Sequence, residues 1–152
     1  MRHALGDGRA PLDICDAGCG TGLLGPLLRP LARRLDGVDQ SPRMLDRARA
    51  LGLYDELVVD DLTAALRDRP NTYDVVAAAD VLVSIGDLAP VAAAAAAALR
   101  PGGLLAFTVE RGGEEGVSLT ASGRYQHAGA FVREAAKSAR LLVVSASGGV
   151  IR

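Results

Sequence analysis

The sequence predicts an α/β protein built on an open, doubly wound, mostly parallel sheet with helices on both faces. Three observations predict it. Short apolar runs alternate with stretches of helical periodicity along the chain, the pattern of parallel strands joined by crossover helices. Several of those runs end in an acid, at Asp39, Asp60, Asp80 and Glu110. The first run leads directly into Asp16-Ala17-Gly18-Cys19-Gly20-Thr21-Gly22, whose alternating glycines let backbone approach a ligand where a Cβ would collide. A turn at a strand's carboxyl end, followed by a helix start with unpaired N–H groups, is where open α/β sheets take nucleotide-type cofactors.

The totals narrow the field. A chain of 152 residues that is 49% hydrophobic fits one domain with a substantial core. With a net charge of −1, aromatics at 3% and no tryptophan, no nucleic acid partner is expected. Cys15 and Cys19 lack metal-site spacing and read as small buried residues in a reducing compartment. No apolar run reaches the length of about 18 residues that would suggest a membrane span, and the first strand starts too early for a signal peptide, so a cytoplasmic, membrane-free protein is expected. Lys137 is the sole lysine among 17 basic residues and alanine is abundant, which hints at a bacterial gene of high GC content.

Element by element, residues 1–11 form a polar lead-in, and His3 reads as a solvated tail residue. Residues 12–15 are a buried strand. Leu23, Leu24, Leu27, Leu28 and Leu31 predict a helix over 23–34, bent by Pro26 and Pro30. Residues 35–38 form a second strand ending in Asp39, about twenty residues beyond the glycine turn, where a carboxylate can accept from both ribose hydroxyls. Ser41 and Pro42 supply the cap and first residue of a helix over 42–51, which leaves Asp39 free for that role. After a strand at 56–59, Asp60 and Asp61 either begin a helix over 63–68 or read an adenine amino group beside the next backbone N–H. On spacing alone the two readings are even.

Residues 73–79 are a continuous apolar run, a buried parallel strand ending in Asp80. Asp87 caps an alanine-rich helix over 88–99, and Arg100-Pro101-Gly102-Gly103 turns into a fifth strand at 104–109 that ends in Glu110. Residues 111–116 read as an exposed loop. Ser122-Gly123-Arg124-Tyr125-Gln126-His127 is either an ordinary turn before a helix over 128–140 or an overhang that contributes to a substrate pocket. A sixth strand at 141–145 and a short tail, 148–152, complete the chain.

Taken together, these residues resemble the class I S-adenosylmethionine-dependent methyltransferases, over nearly the whole chain. The resemblance rests on the glycine turn, on Val38-Asp39-Gln40-Ser41-Pro42-Arg43-Met44-Leu45 and on Arg100-Pro101-Gly102-Gly103-Leu104. Leu53-Tyr54-Asp55-Glu56-Leu57, Ala79-Asp80-Val81-Leu82, Gly86-Asp87-Leu88 and the stretch 122–127 are similar to a bacterial subset often fused to tetratricopeptide repeats, although no such repeat is present. The resemblance implies a Rossmann-like fold and S-adenosyl-L-methionine as cofactor. It implies that Asp16, Gly18 and Gly20 hold the methionine end and that Asp39 takes the ribose. Gln40 and Met44 would border the adenine, Asp61 with the Leu62 amide would read its edge, and Asp80 would lie near the sulfonium. At Ser84 many relatives carry histidine or tyrosine, so a substrate contact there is not carried over. Relatives also have an N-terminal helical segment and a seventh strand that this sequence does not supply. The expected result is a shortened domain whose sixth strand has an open edge, a template for pairing between chains.

The activity implied is methyl transfer to an unidentified, small-molecule acceptor. Where the acceptor needs a base, His127 is the first candidate by type, with Tyr125 and Asp80 as others and Arg124 available to orient a substrate. A structural hydrogen bond is an equal reading for His127. Two rivals stand beside this. Gly20-Thr21-Gly22-Leu23-Leu24-Gly25 satisfies the dinucleotide spacing of an NAD(P)-dependent oxidoreductase, against which Asp16 would repel a pyrophosphate. The shortened chain could instead be a non-catalytic cofactor-binding domain.

Overall fold

The computed structural model describes residues 11–148. His3 and the 149–152 end of the tail lie outside the described residues. A five-stranded parallel sheet has the order β3-β2-β1-β4-β5, made of β1 (Leu12–Ala17), β2 (Ala32–Asp39), β3 (Glu56–Val59), β4 (Tyr73–Ala78) and β5 (Leu99–Phe107). The order reverses at β1, so the crevice at the carboxyl ends of β1 and β4 is the topological switch point where such sheets bind ligands.

Side-chain alternation along β1 and β4 sends alternate residues to opposite faces. Cys15, Ala17, Val76 and Ala78 pack against Leu62, Leu66, Leu88, Val91 and the alanines of the helices that cover one face. These are α3 (Leu62–Arg67), α4 (Ala89–Ala98) and α5 (Gly129–Ser138). Ile14, Leu35, Val75 and Ala77 pack against Leu24, Leu28, Leu31 and Tyr54 on the other. That second cover is thin. The helix expected over 23–34 is reduced to α1 (Gly25–Leu28) and a single 3₁₀ turn (Arg29–Leu31), because Pro26 and Pro30 each start a new turn and neither can donate a backbone hydrogen bond. β2 consequently begins at Ala32, paired with Leu12. Leu23 and Leu27 are left exposed, and Leu24, Leu27 and Leu31 line an apolar cavity of about 400 Å³ with Ala77, Ala79 and Ala106.

Other boundaries follow their sequence signals closely. Ser41 caps α2 (Pro42–Ala50), its hydroxyl accepting from Met44 N at 3.3 Å. The Asp87 carboxylate accepts from Ala89 N at 3.0 Å, with Leu88 in the cap position of α4. The predicted turn at Arg100–Gly103 lies inside β5 as an irregularity, Leu99 pairing with Tyr73 and Leu104 with Val75.

Two expectations are corrected. The stretch after β5 is a second, three-stranded sheet, β6 (Glu110–Arg111), β7 (Val117–Leu119) and β8 (Tyr125–His127), in the order β6-β8-β7. The predicted sixth strand, 141–145, has no strand structure: Leu142 and Val144 are exposed, with no partner strand to satisfy their backbone. Among the described residues the edge strands of the large sheet are therefore β3 and β5.

Candidate functional site

The glycine turn is fixed by its own backbone. Gly18 N and Cys19 N both donate to Val38 O, at 2.8 and 3.0 Å, which ties the turn to the end of β2. Gly18 has φ +71°, and a Cβ there would fall 2.3 Å from Val81 Cγ2, so glycine is required by the chain itself. At Gly20 (φ +55°) the nearest atom to such a Cβ is Met44 Sδ, at 3.7 Å. Gly20 is the member of the turn with room beside it, and Met44 is half exposed above it.

Asp39 lies across that space. Its Oδ2 accepts from Gly20 N at 2.9 Å and its Oδ1 from Ser41 N at 2.9 Å. Gln40 reaches the next strand, its Nε2 donating to Asp61 Oδ1 at 3.2 Å. Asp61 realises the capping reading of the paired acids, its Oδ2 accepting from Ala64 N at 3.0 Å, while Asp60 Oδ1 accepts from Asp61 N. Leu62 occupies the first helical position, where the backbone N–H has no intrahelical partner. Asp39, Gln40, Met44 and Asp61 thus meet around the ends of β2 and β3 and the starts of α2 and α3, with Leu62 next along the chain.

Asp16, at the end of β1, is 2% exposed and accepts from the Tyr54 hydroxyl at 2.6 Å. Burial pushes its pKa up to about 6, the Tyr54 hydrogen bond opposing the rise and the neighbouring Asp39 charge adding to it. Cys19, beside it, is raised to about 12 by burial and by the charges of Asp16 and Asp39, and burial raises Cys15 as well; both thiols are free and buried, which favours their neutral form. Among the described residues, Asp16, Asp39, Asp60 and Asp61 form no ion pair, and no group of side chains is arranged to hold a metal.

The catalytic candidates stand on the other flank. Asp80 follows β4 with φ +54°, its N–H donating to Thr108 Oγ1 at 2.8 Å. Arg124 joins it to Glu110: Nη2 donates to Asp80 Oδ1 at 2.8 Å and Nε to Glu110 Oε2 at 2.9 Å, and Gln126 donates to the other Glu110 oxygen. The hydrogen bonds from Gln126 and Arg124 hold the Glu110 carboxyl below its usual range. His127 does not reach this opening. Its ring is 1% exposed beside Phe131, and Nε2 donates to the carbonyls of Ile85 and Gly86 at 2.8 and 3.2 Å. Nδ1 is buried without a partner among the described residues. This is the structural hydrogen bond, and it pins the small sheet to the loop after β4.

The profile of a family described as a methyltransferase domain matches residues 15–105, more than half of the chain. The chain belongs to that methyltransferase family. A ubiquinone biosynthesis O-methyltransferase of Methylocella silvestris is 38% identical over 104 residues, covering 66% of this chain and 41% of the relative. A S-adenosylmethionine-dependent methyltransferase of Leishmania major has the same fold, with a TM-score of 0.79 at 19% identity over 94% of this chain and 60% of that one. The 1,6-didemethyltoxoflavin N1-methyltransferase of Burkholderia thailandensis, solved with 1,6-didemethyltoxoflavin and S-adenosylhomocysteine, gives 0.71 at 20% identity over 91% and 63%. The methyltransferase chain described here spans about half the length of the curated relatives it matches. No described helix is long and apolar enough to cross a membrane.

Sequence reasoning missed two features of this region. The link from Tyr54 to Asp16 spans 38 positions and has no local signature. The small sheet did have one: Val117-Ser118-Leu119, a turn at Ser122-Gly123 and Tyr125-Gln126-His127 form an alternating hairpin pattern.

Proposed function

We propose that the described residues form one S-adenosyl-L-methionine-binding methyltransferase domain that transfers a methyl group to a small-molecule acceptor. The observation that carries the proposal is the charge of the crevice. Among the described residues Asp16, Asp39 and Asp61 are met by N–H and O–H donors and by no arginine, so a set of carboxylate acceptors remains for a ligand. Such a set suits an ammonium, a sulfonium and neutral ribose hydroxyls, and it repels the pyrophosphate of a dinucleotide. The NAD(P)-dependent alternative is disfavoured on that ground.

In this reading Asp16, Gly18 and Gly20 take the methionine end, and Asp39 takes the ribose hydroxyls on lone pairs left by Gly20 N and Ser41 N. Gln40 and Met44 border the adenine, Asp61 and the Leu62 N–H read its edge, and Asp80 stands by the sulfonium. The cofactor when bound supplies an electrophilic methyl group on a leaving group that departs uncharged. What the chain supplies is alignment, an effect that can account for about 7–11 kcal/mol of a barrier. Asp80, Glu110 and Arg124 form the polar wall toward the acceptor, and Tyr125 lies against Gly86 at its edge. His127 has no free path to a substrate proton, so an acceptor that needs a base takes it from Asp80 or from solvent. The small-molecule acceptor is supported by the names of the relatives, and the finer likeness to tetratricopeptide-associated enzymes rests on the sequence stretches alone. A cytoplasmic setting fits the two free thiols, and association between chains would use an open sheet edge.

Calorimetric titration with S-adenosylhomocysteine, with NADH as comparison, tests the proposal. The expected result is binding of the first alone, weakened at least about tenfold by Asp39→Ala, which removes a charged acceptor of two hydrogen bonds. Binding of NADH alone overturns it. Binding of S-adenosylhomocysteine without methyl transfer to any of a broad acceptor panel favours a non-catalytic cofactor-binding domain.

A further inference from the structure

Tyr54 belongs to a motif that the cofactor assignment leaves without a role, yet it sits where three glycines from separate elements have made room for it. A Cβ at Gly22 would lie 3.2 Å from Tyr54 Cε2, one at Gly25 3.2 Å from its Oη, and one at Gly37 3.1 Å from its Cδ1. The backbone on each side is clamped. Leu53 O accepts from Arg29 Nη1 at 2.9 Å, and Asp55 exchanges two bonds with Leu35, each 2.8 Å, through its N–H and its Oδ2. Ring and backbone are therefore held before any ligand arrives, and the hydroxyl lies 2.6 Å from Asp16 Oδ2.

From this geometry we infer that Tyr54 is a positioning residue for the cofactor: its hydroxyl fixes one oxygen of Asp16 and leaves the other for the ligand's ammonium group. The inference rests on the methyltransferase reading above. The hydrogen bond favours the charged form of Asp16 against burial and against the charge of Asp39. Among the described residues the groups that face Asp16 are the Tyr54 phenol, the Asp39 carboxylate and the Cys15 and Cys19 thiols, and none of them is a cation. Tyr54 is thus the group that keeps Asp16 able to receive a cation near neutral pH.

The test compares wild type with Tyr54→Phe, which keeps the ring and removes the donor. In ligand-free protein the Asp16 carboxyl carbon resonance, followed against pH, is expected to titrate near 6 in the wild type and about one pH unit higher in the variant. S-adenosylhomocysteine should then bind the two equally at pH 8 and the variant about fivefold more weakly at pH 6. Should the variant fold poorly, fluorotyrosine incorporation gives a second arm: a more acidic phenol donates more strongly and moves the Asp16 midpoint down. An unchanged Asp16 midpoint, or an affinity loss equal at every pH, overturns the inference. If wild type binds S-adenosylhomocysteine and Tyr54→Phe matches it throughout, the inference alone falls. If wild type binds none at any pH, the methyltransferase reading falls first and the positioning role with it.

Discussion

In the amino-terminal half of the sheet, Asp13, Asp36, Asp55, Glu56 and Asp74 each accept from an arginine, among Arg29, Arg33, Arg34, Arg69 and Arg100. At the carboxyl ends, Asp16, Asp39 and Asp61 accept from a phenol, from backbone N–H groups and from an amide. Acids of the same type thus do opposite work in the two regions. Where guanidinium groups close the charge, the carboxylates tie strands together. Where only neutral donors among the described residues are supplied, negative charge is left over at the carboxyl ends of the strands.

The sharpest way to break this comparison is at Asp36, which is 1% exposed and accepts from Arg34, Arg69 and the Tyr73 hydroxyl. Asp36→Ala is expected to cost about 2–4 kcal/mol in urea unfolding, somewhat below a fully enclosed pair because half-exposed Arg34 can turn to water. A loss no larger than that of an exposed pair would show that the amino-terminal network is ornamental.

At Asp16 the sign reverses. Its folded pKa, about 6, lies above the unfolded value of 3.8, so the folded state binds the proton more tightly. This group therefore costs stability above pH 6, and the cost is relieved as pH falls from about 6 toward 4. Asp13 is lowered by Arg33 against burial, and Asp55 is lowered by the Leu35 N–H and Arg29. Their contribution is present above about pH 4 and lost as pH falls through their folded pKa values. Asp16→Asn should then raise stability at pH 7 by about 1–3 kcal/mol, flatten the slope between pH 4 and 6, and weaken S-adenosylhomocysteine binding. Denaturant unfolding at pH 4.5 and 7 checks it, and a variant less stable at both would mean that Asp16 belongs with the structural acids.

The smallest effect sharpens the contrast. Arg33 is largely exposed, and Asp13 also accepts from Arg100 at 2.8 Å, so Arg33→Ala should lower stability only marginally, well below the loss at Asp36. A larger loss would show that the arginines at this end are not interchangeable.

Much of this was legible before any coordinates. The strand at 56–59, the apolar run at 73–79 that forms the strand Tyr73–Ala78, and the Ser41 cap each depend on residues within a few positions of one another, whereas spacing left Asp61 divided between a cap and an adenine contact and the structure shows the cap. The glycine turn was legible for the same reason, since a positive φ at Gly18 or Gly20 is a local property. Leucine spacing over 23–34 misled, because Pro26 and Pro30 divide the segment into two short turns that still bury Leu28. The apolar run at 141–145 misled for another reason: a strand needs a neighbour to pair with, and none of the described strands pairs with it.

By itself, then, the sequence determined the alternation of strand and helix, the glycine turn and the row of acids at the strand ends, because periodicity, capping and backbone torsions act over a few residues. Only the tertiary structure decided which acids meet arginines and which meet neutral donors. Asp13 finds Arg100 across 87 positions, Asp16 finds Tyr54 across 38, and Asp80 finds Arg124 across 44. Those partnerships set the charge of each end of the sheet, and they exist only once the sheet order has brought the strands together.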